Sequence, residues 1–263
     1  MTDLSVNLNK IALIRNSRSG NYPDVIAHAA TCITAGAHGI TVHPRPDQRH
    51  IRPTDVTRLH QLIKKYNTEN NASIEFNIEG NPFAEASAYP AGHYPGFISL
   101  VLNSPPHQCT LVPDSNDQLT SDHGFDLKKS GKKLSPVIQD LKRAQIRVSL
   151  FMDPDLEQIS IAADLGADRI ELYTGPFAEC YLKNPDSHET NTLFAQHCKA
   201  AEHACRLGLG VNAGHDLNLQ NLRLYRTLPH LNEVSIGHAL IVDAIHSGLT
   251  STVQTYLKTL NPA

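Results

Sequence analysis

The sequence predicts an α/β fold, a single (β/α)8 TIM barrel spanning residues 1–263, and three observations lead to this prediction. First, eight short segments with the two-residue period of strands alternate with segments of helical period. Second, no G-x-G-x-x-G follows the first strand, which disfavours an open doubly wound sheet. Third, 263 residues suit one barrel, and no linker or low-complexity stretch divides them. Length alone would also allow two ordinary domains, so the regular alternation decides.

Strands are predicted where apolar residues alternate with polar ones. In the first strand Leu4, Val6 and Leu8 make the apolar face, and the same alternation recurs along the chain. The predicted strands are residues 4–9, 39–43, 73–78, 108–112, 147–151, 168–173, 209–212 and 233–236.

Helices are predicted from apolar spacing together with proline near the start and glycine near the end. Pro23 opens one helix that Gly36 closes, and Pro53 and Thr54 open the next. Further helices are predicted at residues 97–102, 134–144, 154–165, 189–206, 219–227 and 239–257. Arg15, Arg18 and Gly20 are predicted in a loop after the first strand; the other long loops are residues 80–96, 113–129 and 175–187.

Composition restricts the class of protein. A formal net charge of -3 gives no support to a nucleic-acid-binding surface. The first residues lack the basic-then-apolar order of a signal peptide, and no apolar run approaches membrane-spanning length, so we expect a cytoplasmic protein. The five cysteines include no C-x-x-C pair, so free thiols are expected rather than a disulfide framework or a zinc knuckle.

The barrel interior is predicted to be unusually polar. Side chains that share the parity opposite to the apolar faces should point inward, where ordinary barrels carry branched aliphatics. Burying a polar group without a partner costs about 2–7 kcal/mol, so a set of this size is expected to bind something or to pair internally. The predicted inward set is Asn7, Asn9, Thr41, His43, Glu75, Asn77, Thr110, Ser149, Arg169, Glu171 and Ser235, with His215 just past the seventh strand.

Two alternatives to a catalytic cavity remain open. In the first, Glu75, Arg169 and Glu171 form an internal ion-pair network without chemistry, because structural networks also place charges inside proteins. In the second, histidines bind a metal in a lyase or isomerase, but no H-x-H or H-E-x-x-H pair occurs. The ligands in that case would be His43, His50, His215 and His238 with Glu171.

Glycine-containing turns follow the last two predicted strands. They read N-A-G-H at residues 212–215 and S-I-G-H at residues 235–238. In barrels these loops often hold a phosphate on backbone N–H groups and a helix N-terminus. Gly237 leaves the backbone open to such a ligand, although a tight turn would need the same residue type.

Several motifs together resemble the pyridoxine 5'-phosphate synthase family, and the resemblance covers nearly the full chain. The most specific is G-I-T-V-H-x-R-x-D-x-R-H-I at residues 39–51. The others, in the same order and spacing, are V-N-x-x-K-I-A at 6–12, R-N-x-R at 15–18, L-V-P at 111–113, S-L-F-x-D at 149–153, I-E-L-Y-T-G at 170–175, V-N-A-G-H at 211–215 and I-G-H-A at 236–239. One departure is Asn9-Lys10, where many members carry Asp-His.

The resemblance implies a cofactor-free barrel enzyme of the transferase class, without a metal. Its reaction condenses 1-deoxy-D-xylulose 5-phosphate with 3-amino-2-oxopropyl phosphate and releases pyridoxine 5'-phosphate, phosphate and water. It also implies a homo-octamer built from dimers. A phosphometabolite-binding barrel that has lost turnover is a further alternative, which the joint presence of His43, Glu75, Glu171 and His215 disfavours.

The resemblance also implies roles for individual residues. His43 and Glu75 would be general bases, His215 a general acid, and Glu171 a transition-state stabiliser. Imidazoles and buried carboxylates suit a reaction that moves protons repeatedly near neutral pH. Residues expected to bind the two phosphorylated substrates are Asn7, Asn9, Lys10, Arg18, Arg45, His50, Thr120, Asp216, Gly237 and His238.

Overall fold

The computed structural model describes residues 1–89, 92–115 and 117–262. Within these ranges eight parallel strands close into a barrel, with neighbours in the order β1-β2-β3-β6-β7-β8-β9-β10 and back to β1. This confirms the predicted (β/α)8 fold; that residues 1–263 form one domain stays a prediction. The barrel strands are β1 (Asp3–Asn7), β2 (Gly39–Val42), β3 (Glu75–Gly80), β6 (Gln108–Leu111), β7 (Arg147–Met152), β8 (Arg169–Tyr173), β9 (Gly210–Gly214) and β10 (Leu231–Ile236), and a hairpin of β4 (Ala86–Tyr89) and β5 (Gly92–Pro95) is inserted after β3.

Helices surround the barrel, and the apolar faces of the strands pack beneath them. Leu4 and Val6 of β1 are fully buried there, as the strand pattern predicted. None of the helices described could cross a membrane. The helices are α1 (Asn9–Asn16), α2 (Val25–Thr34), α3 (Pro53–Asn70), α4 (Phe97–Asn103), α5 (Leu127–Arg143), α6 (Leu156–Asp164), α7 (Gly175–Lys183), α8 (His188–Arg206), α9 (Leu222–Tyr225), α10 (His238–Ser247) and α11 (Leu249–Leu260).

The barrel interior is polar, as predicted, and much of it is hydrogen-bonded across strands. The Ser5 and Thr41 hydroxyl oxygens lie 2.7 Å apart, and the Thr110 hydroxyl donates to the Asn77 amide oxygen at 3.1 Å. Asn77 and Thr110 are fully buried. Because Ser5, Thr41, Asn77 and Thr110 are hydrogen-bonded to one another across strands, these side chains can fill a space that is usually aliphatic.

Four local predictions were wrong. The stretch after β1 forms α1 rather than a loop, and residues 175–183 form α7, whose Pro176 lies in the first turn, where a missing N–H is tolerated. The predicted helix 239–257 is two helices that meet at Gly248, whose φ of 75° breaks the helical path. Residues 80–96, predicted to be irregular, contain the hairpin.

Candidate active site

A cavity of about 570 Å³ opens at the C-terminal ends of the barrel strands. Twelve of the fourteen predicted site residues line it; Glu75 and Arg18 do not. The described lining residues outside the predicted set include Arg49, Glu79, Ser121, Phe151 and Ser235. This is the end of a barrel at which loops and strand ends collect reactive groups.

His43 follows β2 directly and is held from two sides. Its backbone N–H donates to the Asn9 amide oxygen at 2.9 Å, and the Asn9 N–H in turn donates to the Asn7 amide oxygen at 2.9 Å. The imidazole Nε2 lies 3.7 Å from the Asp114 carboxylate. Burial, and then the charges of Arg45 and Arg49, lower the pKa of His43 to about 3. His43 is therefore a neutral imidazole at pH 7, which can accept a proton.

Glu171 of β8 is the best-placed carboxyl group for proton transfer. Its side chain lines the cavity, and within the described ranges its buried Oε2 has no hydrogen-bond partner. Burial raises its pKa to about 7. Gly214 on the neighbouring β9 makes room for it, since a Cβ there would lie 2.2 Å from Glu171 Oε1. The site thus holds a carboxyl group that can gain or lose a proton near neutral pH.

Glu79, rather than Glu75, brings the carboxylate of β3 into the cavity. Both residues face inward, but Glu75 begins the strand while Glu79 lies near its C-terminal end. Glu75 is ion-paired with Arg147 of β7 and lies away from the cavity lining. The sequence places Glu75 inside the barrel as a catalytic base; its inward direction agrees with the structure, but four residues of strand, about 13 Å, separate it from Glu79 at the cavity.

The environment of Glu79 favours its protonated form. Burial raises its pKa well above the ordinary value, and the nearby carboxyl groups of Glu171 and Asp114 raise it further. Asn7 donates to Glu79 Oε2 at 3.4 Å. Two carboxyl groups that share a buried cavity cannot both ionise easily, so one of the pair retains a proton near neutral pH.

Arg18 is the second predicted site residue that lies outside the cavity. It follows the end of α1 and is exposed. Arg15, one turn earlier, is fully buried and donates to Asp55 at 2.6 Å and to the His50 carbonyl at 2.9 Å. α1 ends at Asn16, so Arg18 lies beyond the helix at the protein surface, and the R-N-x-R motif contributes a structural ion pair through Arg15.

His215 lies immediately after β9 with its two ring nitrogens engaged. Nδ1 is 2.8 Å from the Asp216 carboxylate, and Nε2 is 2.7 Å from the Thr120 hydroxyl. The hydrogen bond from His215 lowers the pKa of Asp216. An ionised carboxylate can only accept, so Nδ1 carries the proton and Nε2 is the nitrogen available for exchange. His215 has a φ of 85°, a strained value for a residue with a side chain, as is common at functional sites.

One end of the cavity is suited to an anion. Gly237 and His238 stand at the N-terminus of α10, and Lys10 of α1 lines the same cavity. The ten residues of α10 provide unpaired N–H groups and the positive end of a helix dipole. A Cβ on Gly237 would lie only 3.0 Å from the Asn7 Cβ, so glycine is required by close packing.

A second cationic group lies across the cavity, beneath the loop after β6. Arg45 is ion-paired with Asp114 and donates to the Gln118 carbonyl at 2.8 Å, and Arg49 donates to the same carbonyl at 3.0 Å. Asp114 also accepts from the Ser121 hydroxyl at 3.0 Å. His50 lies beside these arginines as a neutral imidazole, because burial and then His43 and Arg45 hold its pKa well below the usual value.

Sequence reasoning missed Glu79 and Asp114 for different reasons. Glu79 has the same strand parity as Glu75, and the rule that reactive groups sit at C-terminal strand ends could have selected it. Asp114 lies in an irregular loop, where no periodicity indicates which way a side chain points. Its contact with Arg45 spans 69 positions in the sequence and follows only from the fold.

The described residues bring together no group of three or more His, Cys, Asp or Glu side chains that could hold a metal ion. His43 and His50, two of the proposed ligands, have ring centroids 6.2 Å apart in an edge-to-face arrangement. The metal alternative therefore gains no support from the geometry, while the absence of a metal or cofactor stays a prediction.

Comparison with known proteins identifies the family of this chain. Residues 4–262 match the family described as "Pyridoxal phosphate biosynthesis protein PdxJ". The chain belongs to the PdxJ family. Among PdxJ relatives, the chain is 51% identical over 260 residues to the pyridoxine 5'-phosphate synthase of Xanthomonas axonopodis pv. citri (strain 306), covering 98% of this chain and 96% of that one. It is 50% identical over 266 residues to the enzyme of the same name from Xylella fastidiosa (strain M23), covering 100% and 97%.

Solved structures that share only 10–11% sequence identity with this chain show the fold alone. A Rubisco-like protein from Rhodopseudomonas palustris superposes with a TM-score of 0.58 at 11% identity, covering 98% of this chain and 63% of that one. A phosphoribosylanthranilate isomerase from Thermotoga maritima gives a TM-score of 0.53 at 10% identity, with 100% of both chains covered. Both likenesses accord with the closed barrel of this PdxJ family member.

Proposed function

We propose that the chain is a pyridoxine 5'-phosphate synthase, which condenses 1-deoxy-D-xylulose 5-phosphate with 3-amino-2-oxopropyl phosphate. The products are pyridoxine 5'-phosphate, phosphate and water. Family membership over nearly the whole chain supports the activity, and the motifs that carry the family resemblance supply the substrates. The structural observation that carries the proposal is Glu171: a buried carboxyl with a pKa of about 7 whose Oε2 has no hydrogen-bond partner among the described residues, in a cavity with cationic groups at two sides.

The proton-transfer roles are assigned by protonation state. His43 acts as a general base, because its imidazole is neutral at pH 7 and so has a ring nitrogen that can accept a proton. Glu79 takes the second carboxyl role in place of Glu75, since it lines the cavity, and because its raised pKa favours the protonated form it donates a proton before it can accept one. The proton that it or Glu171 retains is available for the return step of an imine formation or a dehydration.

His215 acts as the general acid. Asp216 fixes its tautomer and stabilises the imidazolium, while Nε2 faces the cavity through the Thr120 hydroxyl. Glu171 lies on β8, next to the β9 strand that ends at His215, and stabilises positive charge as it develops on a nitrogen of the intermediate. A carboxylate without a competing cation can supply that stabilisation at full strength.

Two separate cationic regions fit two phosphorylated substrates. One phosphate binds at the N-terminus of α10, where Gly237, His238 and Lys10 meet. The other binds on the Arg45 and His50 side, where the guanidinium can exchange its Asp114 partner for a phosphate. Asn7 and Asn9 line the cavity as well, and the Asn9 amide oxygen also accepts a hydrogen bond from the His43 N–H.

The test is formation of pyridoxine 5'-phosphate from the two purified substrates in the presence of a chelator. We expect turnover without added metal or cofactor. Product that forms only with a divalent metal would favour the lyase or isomerase alternative, and substrate binding without product would favour a non-catalytic barrel. A homo-octamer built from dimers and a cytoplasmic location stay predictions, open to light scattering and to cell fractionation.

A further inference from the structure

The hairpin of β4 and β5 touches the segment that carries four of the cavity's polar side chains. That segment, residues 43–50, joins β2 to the start of α3 and contains His43, Arg45, Arg49 and His50, all of which line the cavity. The hairpin is an addition to the eight-strand barrel: β4 pairs only with β5 in the sheet assignment of the described residues. Its place beside residues 43–50 raises the question of what it contributes.

Two hydrogen bonds join the hairpin to this segment. The Tyr94 hydroxyl donates to the Pro44 carbonyl at 3.3 Å, and the Gln48 side-chain amide donates to the Gly92 carbonyl at 2.9 Å. Tyr94 is fully buried, and Gln48 is 5% exposed. Buried polar groups that lose their partners are costly, so both bonds fix the segment at the positions they reach.

The same segment is held on its other side by α1. The Asn16 side-chain amide lies within hydrogen-bonding distance of three successive carbonyls, of Gln48 at 3.1 Å, Arg49 at 3.1 Å and His50 at 2.7 Å. Residues 43–50 are therefore hydrogen-bonded on one side to α1, which belongs to the barrel, and on the other side to the β4–β5 hairpin, which is an addition to it. The hairpin's two contacts lie at opposite ends of the segment, one residue after His43 and two before His50.

The backbone φ angles of Gln48 and Gly92 show that residues 43–50 are constrained where they meet the hairpin. Gln48 has a φ of 55°, a left-handed value that costs free energy for a residue with a side chain. On the hairpin side, Gly92 has a φ of 133°, which side chains rarely allow, and a Cβ there would lie 3.7 Å from the Gln48 amide. An unfavourable conformation persists where neighbouring contacts hold it, and the Gln48 to Gly92 bond is one such contact.

We propose that the hairpin positions the active-site segment, with Tyr94 and Gln48 as positioning residues for His43 and the cationic side chains that follow it. Tyr94 fixes the peptide directly after His43, so it sets the direction in which the imidazole meets the substrate. Neither Tyr94 nor Gln48 lines the cavity. The proposal rests on the proposed function for its kinetic readout and is independent of it for its structural readout.

The experiment compares Tyr94→Phe and Gln48→Asn with Tyr89→Phe in the full chain. Tyr94→Phe keeps the buried ring and removes the hydroxyl, while Gln48→Asn keeps an amide and a tolerance for positive φ but is too short to reach Gly92. Tyr89→Phe removes a hydroxyl from the opposite strand of the hairpin. Among the described residues, the Tyr89 hydroxyl is hydrogen-bonded to none of residues 43–50, so this variant is the matched control.

We expect both positioning variants to increase hydrogen–deuterium exchange in residues 43–50 while exchange in the barrel strands stays at the wild-type level. We expect kcat to fall about 3- to 10-fold for each, the usual worth of one hydrogen bond, with KM for both substrates nearly unchanged. Tyr89→Phe should match the wild-type protein in both measurements. All assays are run well below the melting temperature of each variant.

Three results would overturn the proposal. Exchange in residues 43–50 that stays at the wild-type level would show that the hairpin does not hold the segment. Faster exchange with an unchanged kcat would show that the hydrogen bonds to the hairpin are structural only. An equal effect of Tyr89→Phe would show that any change in the hairpin acts through general destabilisation. If the wild-type chain forms no product at all, the proposed function fails, and the exchange data still decide whether the hairpin fixes the segment.

Discussion

The two ends of the barrel interior carry similar acidic side chains that differ in whether they are paired with arginine. At the N-terminal end Glu75 is ion-paired with Arg147, and Arg169 donates to Asn212 at 2.9 Å, which in turn donates to Glu233 at 3.3 Å. At the C-terminal end Glu171 forms no ion pair among the described residues, and burial raises its pKa. The acidic side chains of one end are placed among arginines; those of the other surround an open cavity.

This difference teaches how one polar interior serves two purposes. A carboxylate beside a guanidinium can act as a structural link, because the opposite charge offsets part of the cost of burial. A carboxyl group without such a partner has its pKa raised by burial, to about 7 for Glu171. The internal network considered as an alternative from the sequence is thus present at the N-terminal end, while Glu171 lies outside it.

The largest expected effect separates the two glutamates of β3. Glu79→Gln should lower turnover by ~10²–10⁴-fold, the usual worth of a general acid or base, with the fold retained. Glu75→Gln should leave turnover of the folded protein nearly unchanged and lower the free energy of unfolding by about 1–3 kcal/mol, reduced from the value of a fully buried pair because both partners are partly exposed.

Turnover and thermal melting measured on the same preparations of both variants check this. A normal rate for Glu79→Gln together with a collapse of activity in Glu75→Gln would reverse the assignment and restore Glu75 as the base.

The next effect concerns the pH dependence of stability at the C-terminal end. The folded-state pKa of Glu171, about 7, lies above its ordinary value of 4.5, so the folded protein binds the proton more tightly than the unfolded chain. This contribution to stability is fully present below pH 4.5 and is lost as the pH rises to 7. Glu171→Gln has no such loss. The difference in free energy of unfolding between this variant and the wild-type protein should therefore shift in favour of the variant by about 2–4 kcal/mol between pH 4.5 and 8.

Denaturant unfolding of both proteins across this pH range gives the measurement. If the free energies of unfolding of the two proteins depend on pH in the same way, the pKa of Glu171 is not raised. Glu171 would then not be a carboxyl group that exchanges a proton near neutral pH.

The smallest effect compares two glycines of β9 that face the two ends. Gly214→Ala places a Cβ 2.2 Å from Glu171 Oε1, so the carboxylate must move, and turnover should fall about tenfold. Gly210→Ala places a Cβ 2.8 Å from Arg169 Cγ at the other end, which should cost about 1–3 kcal/mol of stability through overpacking with little change in turnover.

Steady-state kinetics paired with urea unfolding distinguishes these two outcomes. Equal losses of turnover in the two variants would indicate that the ends of the barrel are coupled rather than separate.

Much of the candidate site could be read from the chain because it follows strand ends. His43, Glu171 and His215 each lie on or directly after a barrel strand, so a pattern that locates the strand also locates the residue. Arg18 shows the opposite case. The sequence predicts a loop where α1 forms, and Arg18 lies past the end of that helix at the surface. The hairpin also escaped sequence reasoning, because short paired strands next to proline and glycine carry too few residues to show a period.

The sequence by itself determined the barrel, its polar interior and which strands bear the reactive side chains. These follow from alternation with a period of two, a local property that each segment expresses wherever it lies. Only the tertiary structure decided that Glu79 and not Glu75 reaches the cavity, that Asp114 binds Arg45, and that Gly214 makes space for Glu171. Those facts depend on the height of a side chain along the barrel and on neighbours from distant strands, which periodicity does not encode.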